Sequence, residues 1–545
     1  MAATLVLVAA VIGWPLAKLV DVLVADPAGA RAAVTSPGFS RAVAHTLETA
    51  AATTVLAVPG GGLLALLTAR PAVPGRRTLQ AAILLPLLVP PFVLGYSWTQ
   101  AYGDAGFSDR LIGVTMPGLL GPIGIVVVGA VTLAPFSYFV VGAGLAARAE
   151  PDLERAARVS GANAMTTLRT VTVPLLRAPL GAASALVFVL ALEAFALPAA
   201  LGTPAGYDTM TTRIYGDLAQ ASEPALFTQA ITLALTLVVL AVIVIWPADR
   251  LFKGSRRPTR ASSQGLVPSR RSALADSVAA AIVWCYVALV VVVPLAALLL
   301  AALTPAVGVS PTPANWTLAN FRTALSGQTY AALRHSLTLA VIAAVVVVAM
   351  GLLVVMVERH RRGAGLGTAV TAAYALPGSA LAVGVLLAYG RHIGGTLAII
   401  LLAYVAKLWP LGHRPLAAVV DRLDRDHDRA ARVSGASPIG AWLTVVLPRL
   451  APALCGAALL VFLTVLHELT MSSLLYGPSS QTLAVVVLNA QQLGDVGATA
   501  ALSALMTALV LLLATPPLAW FGLRRVRPRP TTSVRIPQRE LADVV

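Results

Sequence analysis

The chain has 545 residues, of which 58% are hydrophobic and 11% charged, with a formal net charge of +16. A soluble domain carries roughly 25% charged residues, so this composition excludes an ordinary aqueous surface. Apolar runs of about 20 residues, long enough to cross a bilayer, recur along the whole chain. The composition therefore indicates a polytopic membrane protein.

In chain order, the apolar runs predict two sets of six spanning helices. The first set is 3–24, 42–69, 79–100, 122–146, 180–201 and 225–249. The second set is 276–304, 335–357, 367–390, 393–412, 451–476 and 495–522. Lys18 and Asp21 interrupt the first run, for which a signal segment is the alternative. It has no basic leader and no convincing cleavage site, so we interpret it as a retained helix.

Basic residues are concentrated in the segments that lie in the cytoplasm if the N-terminus is inside. These segments are 70–77, 148–177, 250–271, 359–362, 414–449 and the tail from 524. The opposite side keeps scattered residues such as Arg110 and Arg322. This is the positive-inside bias, and it predicts that both termini are cytoplasmic. It also accounts for the net charge without a nucleic-acid partner.

A polar stretch at 253–275 divides the chain and predicts a cytoplasmic linker. It separates a first half, 1–252, from a second half, 276–524, which a basic cytoplasmic tail, 525–545, follows. His45-Thr46-Leu47 and His335-Ser336-Leu337 each open the second helix of their half, which indicates an internal repeat. Because each half has six spans, we expect a parallel repeat. The first half is longer, and its surplus falls in an external loop with an amphipathic piece at 101–121.

The octapeptide RAARVSGA occurs twice, at 155–162 and 429–436, each time between the fourth and fifth spans of its half. Each copy is expected to form a helix, a break and a second helix, with Gly161 or Gly435 in the left-handed position that ends the first helix. A single copy would fit an ordinary basic loop duplicated with its half. Two nearly identical copies between diverged helices favour a docking function.

Other residues around each copy support this local structure. Asn163 and Ser437 can cap the second helix. Pro174 and Pro448 each follow the glycine by 13 residues, where the chain re-enters the membrane. The paired alanines would let another protein's backbone approach closely.

The pattern Ala-Ala-x-x-x-Gly, with proline 13 residues later, resembles the EAA loop of permease subunits of bacterial binding-protein-dependent ABC importers. The resemblance implies an all-α polytopic protein of the type I importer permease fold, with two homologous six-helix halves in the bacterial inner membrane. It also implies that the loops at 150–176 and 424–450 are coupling helices that dock an ATPase. The docking residues so implied are Glu154, Arg155, Ala156, Ala157, Gly161, Pro174, Asp428, Arg429, Ala430, Ala431, Gly435 and Pro448.

The resemblance further implies the partners. These are two copies of a cytoplasmic ABC ATPase subunit, an extracytoplasmic solute-binding protein and membrane lipid. The chain itself would hold no cofactor or metal, since ATP and Mg²⁺ belong to the ATPase.

Both copies of the octapeptide depart from the family in one respect. Arg155 and Arg429 replace the acid that usually precedes the alanine pair, and the acid lies one place earlier, at Glu154 and Asp428. A specific salt bridge of that acid is therefore not carried over.

The segments 188–218 and 462–489 resemble the last two helices and intervening loop of ferric-iron-type permeases. Ferric iron is thus the expected cargo, and thiamine, polyamine, phosphonate, sulfate and molybdate permeases remain alternatives that share the pattern. The external loops at 203–224 and 477–494 are candidate contacts for the delivery protein. Their polar residues are Tyr207, Asp208, Tyr215, Asp217, Gln481 and Asn489.

Three ionisable residues fall inside predicted spans. Glu193 follows Pro174 by 19 residues, and His467, next to Glu468, follows Pro448 by the same distance. Such groups cost about 2.5–3.5 kcal/mol on insertion scales, so each needs a partner or a watery cavity. They are candidates for a translocation pathway. An interhelical hydrogen bond that fixes packing is the alternative.

Several enzyme classes are disfavoured. No Gly-x-x-x-x-Gly-Lys-Ser/Thr phosphate loop occurs and no catalytic constellation is visible, so a transport subunit is expected rather than an enzyme. A gradient-driven secondary transporter is the main alternative, followed by a membrane-embedded enzyme. Cys285 and Cys455 lie in apolar helices, and we expect them to be small core residues.

Overall fold

The computed structural model describes most of the chain. The described residues are 9–69, 73–104, 106–148, 153, 156–157, 159–219, 223–253, 273–306, 309, 311–325, 327–360, 370, 373, 376–421, 433–435, 437, 440 and 442–524. Within these ranges the ordered elements are helices, and no strand occurs.

Thirteen helices of the first half are α1 (Trp14–Ala25), α2 (Pro27–Thr35), α3 (Pro37–Thr68), α4 (Arg76–Ala82), α5 (Leu85–Leu88), α6 (Pro91–Tyr102), α7 (Phe107–Ile112), α8 (Pro122–Arg148), α9 (Ala164–Thr167), α10 (Val173–Leu175), α11 (Arg177–Leu192), α12 (Met210–Ala219) and α13 (Pro224–Lys253). Those of the second half are α14 (Ala273–Val287), α15 (Val293–Leu303), α16 (Ala319–Ala324), α17 (Gln328–His360), α18 (Gly378–Ile393), α19 (Leu397–Val420), α20 (Leu447–Leu466), α21 (Thr470–Leu475), α22 (Leu483–Gln492) and α23 (Val496–Arg524).

The all-helical polytopic fold is confirmed. Within the described ranges, 8 helices are long and apolar enough to cross a membrane, or up to 10 spans if each of two bent pairs counts once. The bent pairs correspond to the predicted spans 79–100 and 180–201. The two remaining predictions, 3–24 and 367–390, correspond to shorter elements, Ala9–Ala25 and Gly378–Ile393.

Proline explains the local irregularity of four of these helices. A π-helical turn stands immediately before the Trp14-Pro15, Val173-Pro174, Val293-Pro294 and Leu447-Pro448 pairs. Proline cannot donate the backbone hydrogen bond of a regular helix, so the turn before it widens. Each half has two such turns at corresponding places.

The first long helix of each half packs against the third helix of the other half, α1 on α18 and α15 on α6. We call this reciprocal packing between the halves the exchange of first helices, and two hydrogen bonds accompany it. The Tyr102 hydroxyl donates to the carbonyl of Leu289 at 2.7 Å, and the Tyr389 hydroxyl donates to the carbonyl of Ala10 at 2.8 Å. Both carbonyls belong to π-helical turns. The exchange interlocks the two halves.

Glycine allows the closest helix pairs within each half. A Cβ atom on Gly351 of α17 would lie 2.5 Å from the carbonyl carbon of Gly412 on α19. A Cβ on Gly61 of α3 would collide with the backbone of Ala134 on α8. Small residues at such contacts let membrane helices pack backbone to backbone.

The expectation that the two cysteines are core residues is wrong. Cys285 on α14 and Cys455 on α20 are both exposed free thiols. A membrane helix is apolar on its lipid-facing side as well as on its packed side, so an apolar neighbourhood in the sequence does not distinguish the two.

Candidate functional site: central cavity, cytoplasmic loops and external clamps

Two helices end in the middle of their predicted spans. Helix α11 ends at Leu192 with Glu193 as its C-cap, and α20 ends at Leu466 with His467 as its C-cap. The predicted spans 180–201 and 451–476, which contain Glu193, His467 and Glu468, are therefore each interrupted and are not single helices. In the second half the cause is visible, because Glu468 caps the next helix and thereby favours a new start over continuation.

The capping contacts of Glu468 are well defined. Its carboxylate accepts hydrogen bonds from the N–H groups of Met471 (2.9 Å) and Ser472 (3.1 Å), and from the Ser472 hydroxyl (3.2 Å). Backbone N–H groups at a helix start favour a negative charge. Glu468 is thus held in one orientation at the beginning of α21.

A cavity of about 260 Å³ lies between the halves at the level of these breaks. The first half contributes Glu193 and the second contributes Lys407 and Glu468 to its lining. Threonine residues supply most of the other polar groups, namely Thr49, Thr53, Thr132, Thr464 and Thr470. Discontinuous helices that meet at a repeat interface are typical of substrate sites in transporters.

An ion pair joins the two halves inside the cavity. The Nζ atom of Lys407 lies 2.7 Å from the Oε2 atom of Glu193 and also donates to the carbonyl of Leu376 at 2.6 Å. The side chains of Lys407 and Glu193 are only 14% and 16% exposed. The pair offsets part of the insertion cost of each charge.

Sequence reasoning missed Lys407. The available signal was a lysine within the apolar span predicted at 393–412, which by itself marks a residue that needs a partner. Of the three predicted pathway residues, Glu193 and Glu468 line the cavity, and His467 is not among its described lining residues. The Nδ1 atom of His467 is buried without a hydrogen-bond partner.

The two loops that carry the octapeptide, which are predicted to be cytoplasmic and are called the cytoplasmic loops below, have the predicted glycine geometry. The φ angles of Gly161 and Gly435 are +87° and +90°, in the left-handed region that favours glycine. Val159 and Val433, the valines of the two octapeptides, are 89% and 88% exposed. The two loops thus present the same apolar side chain beside the same backbone reversal.

The predicted helix caps of these loops are also confirmed. The N–H of Thr166 donates to Oδ1 of Asn163 at 2.8 Å, and the N–H of Gly440 donates to Oγ of Ser437 at 3.0 Å. Among the predicted docking residues, Ala156, Ala157, Gly161, Pro174, Gly435 and Pro448 are described. Those that lie outside the described residues are Glu154, Arg155, Asp428, Arg429, Ala430 and Ala431.

The residue pairs that mark the repeat, His45-Thr46 and His335-Ser336, each hold the start of a short helix by two hydrogen bonds. We call these two equivalent arrangements clamps. In the first half, Nδ1 of His45 donates to the carbonyl of Asp208 (2.9 Å), and the Thr46 hydroxyl accepts from the N–H of Met210 (2.8 Å). Tyr207 stacks on the His45 ring at 3.8 Å. Helix α12 begins at Met210, so this clamp, which lies on the side predicted to be external, fixes its N-terminus against α3.

The external clamp of the second half has the same geometry. Nδ1 of His335 donates to the carbonyl of Gln481 (3.0 Å), and the Ser336 hydroxyl accepts from the N–H of Leu483 (2.8 Å), where α22 begins. The Gln481 side chain also accepts a bond from Gln328.

Several of the residues predicted to contact the delivery protein thus hold their own loops together. Asp217 pairs with Arg213 at 2.9 Å, and Tyr215 packs against Phe195. Burial raises the pKa of Asp217 to about 6. A role for these residues in docking a delivery protein stays a prediction.

Comparison with known proteins agrees with this geometry. The family model of the binding-protein-dependent transport system inner membrane component matches residues 57–256 and again 348–523. A probable ABC transporter permease of Sinorhizobium fredii is 26% identical over 437 residues, which cover 76% of each chain.

Two further relatives carry substrate names. A ferric transport system permease of Actinobacillus pleuropneumoniae is 25% identical over 76% of this chain and 61% of its own length. The chain therefore spans about three fifths of that protein. A molybdenum transport system permease of Mycobacterium tuberculosis is 34% identical over 42% of this chain and 83% of its own length.

These matches assign the general role. A component of this kind is a transport subunit and no enzyme, and ATP hydrolysis is carried out by a separate ATPase. The family also implies a solute-binding protein as a partner. With its two family matches and its apolar spanning helices, the chain belongs to the binding-protein-dependent transport system inner membrane components.

Proposed function

We propose that the chain forms the complete transmembrane pore of an ATP-driven importer for ferric iron that an extracytoplasmic binding protein delivers. The observation that carries the cargo assignment is the cavity lining, in which two carboxylates and several threonine hydroxyls accompany one lysine. Hard cations prefer oxygen ligands. A ferric permease among the relatives supports the same cargo.

An oxyanion cargo is the second candidate, because a molybdenum permease is also among the relatives. Such a cargo needs an excess of positive groups or free donors. Lys407 is the cation of the described lining, and Glu193 and Leu376 already engage it. The lining therefore favours a cation.

Energy coupling would occur at the cytoplasmic loops, 150–176 and 424–450. Each loop presents an exposed valine next to a left-handed glycine, a compact shape that suits a groove in a partner. The octapeptides are identical, so two copies of one ATPase subunit would bind them. Closure of the ATPase pair would pull on both loops and drive alternating access, with both termini in the cytoplasm.

The cargo assignment is tested by uptake. The chain is produced with its ATPase and binding protein in cells that lack other iron importers, and ⁵⁵Fe and ⁹⁹Mo uptake are compared. We expect ATP-dependent iron uptake. Uptake of molybdate alone would replace the ferric assignment.

The docking proposal is tested at the glycines. Gly161→Val and Gly435→Val together should abolish co-purification of the ATPase, because valine is strained at positive φ. Gly75→Val is the matched control, since Gly75 also has positive φ (+64°) and open space around it but lies outside both loops. Wild-type co-purification in the double variant would remove the docking proposal.

A further inference from the structure

The Lys407–Glu193 pair is absent from the equivalent place in the repeat. At the 274-residue spacing of the octapeptide, Leu133 occupies the position of Lys407, and His467 occupies that of Glu193. Helices α8 and α19 begin at matching places under this spacing, and α11 and α20 end together. The same scaffold therefore forms with leucine where Lys407 stands, so the fold does not require the lysine.

The threonine hydroxyls of the cavity present lone pairs. Thr49, Thr132 and Thr464 each donate their hydroxyl proton to a carbonyl one turn earlier in their own helix, at 2.7–2.8 Å. What remains for the cavity is the acceptor side of each oxygen. The described lining is thus rich in acceptors, and Lys407 is its one cationic donor.

Lys407 is held from both sides of the interface. Its ammonium bridges the carboxylate of Glu193 on the first half and the carbonyl of Leu376 on its own half. The other cavity carboxylate, Glu468, is occupied by N–H groups of α21. A cation that enters the cavity therefore meets one carboxylate whose counter-ion is already in place.

We propose that Lys407 is a tethered cation that occupies the Glu193 carboxylate in the empty cavity and is displaced there by cargo of higher charge. The inference rests on the proposed function, since it takes the cargo to be a cation. Coulomb attraction scales with the product of the charges. A monovalent ion gains nothing by replacing an ammonium group at the carboxylate, whereas a trivalent ion gains about three times the attraction.

The tether makes Lys407 a residue that determines charge selectivity. While the ammonium is in place, monovalent cations gain nothing at Glu193, and divalent cations gain less than a trivalent ion does. On displacement, Lys407 keeps its contact with the Leu376 carbonyl, so it remains close enough to return once the cargo leaves.

The test measures ion binding by the purified full chain in nanodiscs of neutral lipid. Tb³⁺ is the trivalent probe, read by its luminescence, and Mn²⁺ is the divalent probe, read by electron paramagnetic resonance. Lys407→Met should raise Tb³⁺ affinity by about tenfold or more and should create measurable Mn²⁺ binding, because the competing charge is gone. Lys407→Arg keeps the charge and should leave both unchanged.

Two controls isolate the cavity. Leu133→Met changes the equivalent position of the other half without a change in charge and should bind as the wild type does. Glu193→Gln combined with Lys407→Met should lose the gain, which identifies the carboxylate as the site and corrects for ions bound to lipid. If the methionine variant fails to fold, Lys407→Gln makes the same test.

Two outcomes overturn the proposal. One is an unchanged Tb³⁺ affinity in Lys407→Met, and the other is an equal gain in Lys407→Arg. The proposed function fails separately. A transporter that takes up no iron while its methionine variant gains Tb³⁺ affinity keeps the tether and loses the ferric assignment. Iron uptake without that gain removes the tether alone.

Discussion

The two halves share a backbone plan but differ in the chemistry they bring to the cavity. Each has a clamp at the start of a short helix, two π-helical turns before corresponding prolines, and a tyrosine bonded to the other half. The charged lining follows no such symmetry. Glu193 comes from one half, while Lys407 and Glu468 come from the other.

This difference separates what duplication preserved from what changed afterwards. Interactions that shape the backbone occur twice, because both halves must fold in the same way. Groups that face the cavity occur once, because the cavity is shared and a single set of charges serves both halves. Symmetry within the molecule is therefore a guide to role. Paired features shape the backbone or, at the octapeptides, would bind a paired subunit, and unpaired charges in the cavity are candidates for cargo handling.

A backbone difference accompanies the chemical one. In the first half, the helix that returns from the cytoplasmic loop is bent by 66° between Met165–Leu175 and Arg177–Leu192. The corresponding stretch of the second half, Trp442–Leu466, counts as one span. The identical octapeptides are thus connected to the cavity by helices of different shape, one bent and one counted as a single span.

Among equivalent positions of the two halves, substitutions at Glu193 and His467 should differ most in their effect on the free energy of unfolding. Glu193→Gln leaves Lys407 without its carboxylate, and breaking a buried pair in this way costs about 3–5 kcal/mol. His467→Gln breaks no ion pair among the described residues and should cost about 1 kcal/mol or less. Thermal unfolding in detergent measures both. Equal losses at the two positions would show that the ion pair has no special weight.

Substitutions in the two clamps should differ by a smaller amount in their effect on the free energy of unfolding. Thr46→Val and Ser336→Ala each leave an N–H at a helix start without its acceptor, at about 1–3 kcal/mol. His45→Ala should exceed His335→Ala by about 0.5–1.5 kcal/mol, because only the described first-half clamp includes a stacked tyrosine, Tyr207. Hydrogen exchange in α12 and α22 reports the loosening. A larger effect of His335→Ala would contradict the stacking argument.

The cytoplasmic loops should be equal in local strain. Gly161→Val and Gly435→Val each place a branched residue at φ near +90°, which costs about 1–2 kcal/mol. Tested singly, both should weaken ATPase binding to the same extent. Transport should suffer differently if the bend at Leu176 changes how one loop moves its helix. Unequal binding in the single variants would show that the loops are not interchangeable.

The smallest effect is expected at the tyrosines that cross between halves. Tyr102→Phe and Tyr389→Phe each remove one hydrogen bond to a π-helical turn, at about 0.5–1.5 kcal/mol. The two losses should match within error and should add in the double variant. Thermal unfolding checks this. A marked inequality would mean that the exchange of first helices is stronger on one side.

Much of the fold was predictable because membrane helices are long and apolar, and because the repeat could be read directly. The glycine angles at 161 and 435 and the caps at Asn163 and Ser437 followed from local preferences. The breaks at Glu193 and His467 did not, because an apolar run looks the same whether its helix is continuous or interrupted. The exposure of the two cysteines could not be predicted either, because the lipid-facing side of a membrane helix is as apolar as its packed side.

The cavity was only partly predictable. Charges inside spans identified Glu193 and Glu468, but the partner of Glu193 lies 214 residues away in the other half. Such a contact depends on how the halves pack, and no local pattern encodes it. The histidines at 45 and 335 were visible as marks of a repeat, while their role as clamps required the position of the external loops.

The exchange of first helices bears on how the protein is made. Helix α1 ends at Ala25 and packs on α18, which begins at Gly378, about 350 residues later. At roughly 5–20 residues per second, α1 waits about 20–70 s in the bilayer before its partner emerges. The counterpart α6 waits a shorter time, about 10–40 s, for α15. The first half therefore completes its packing only after nearly half of the second half has been synthesised, and the face of α1 that packs on α18 is exposed to lipid in the interval.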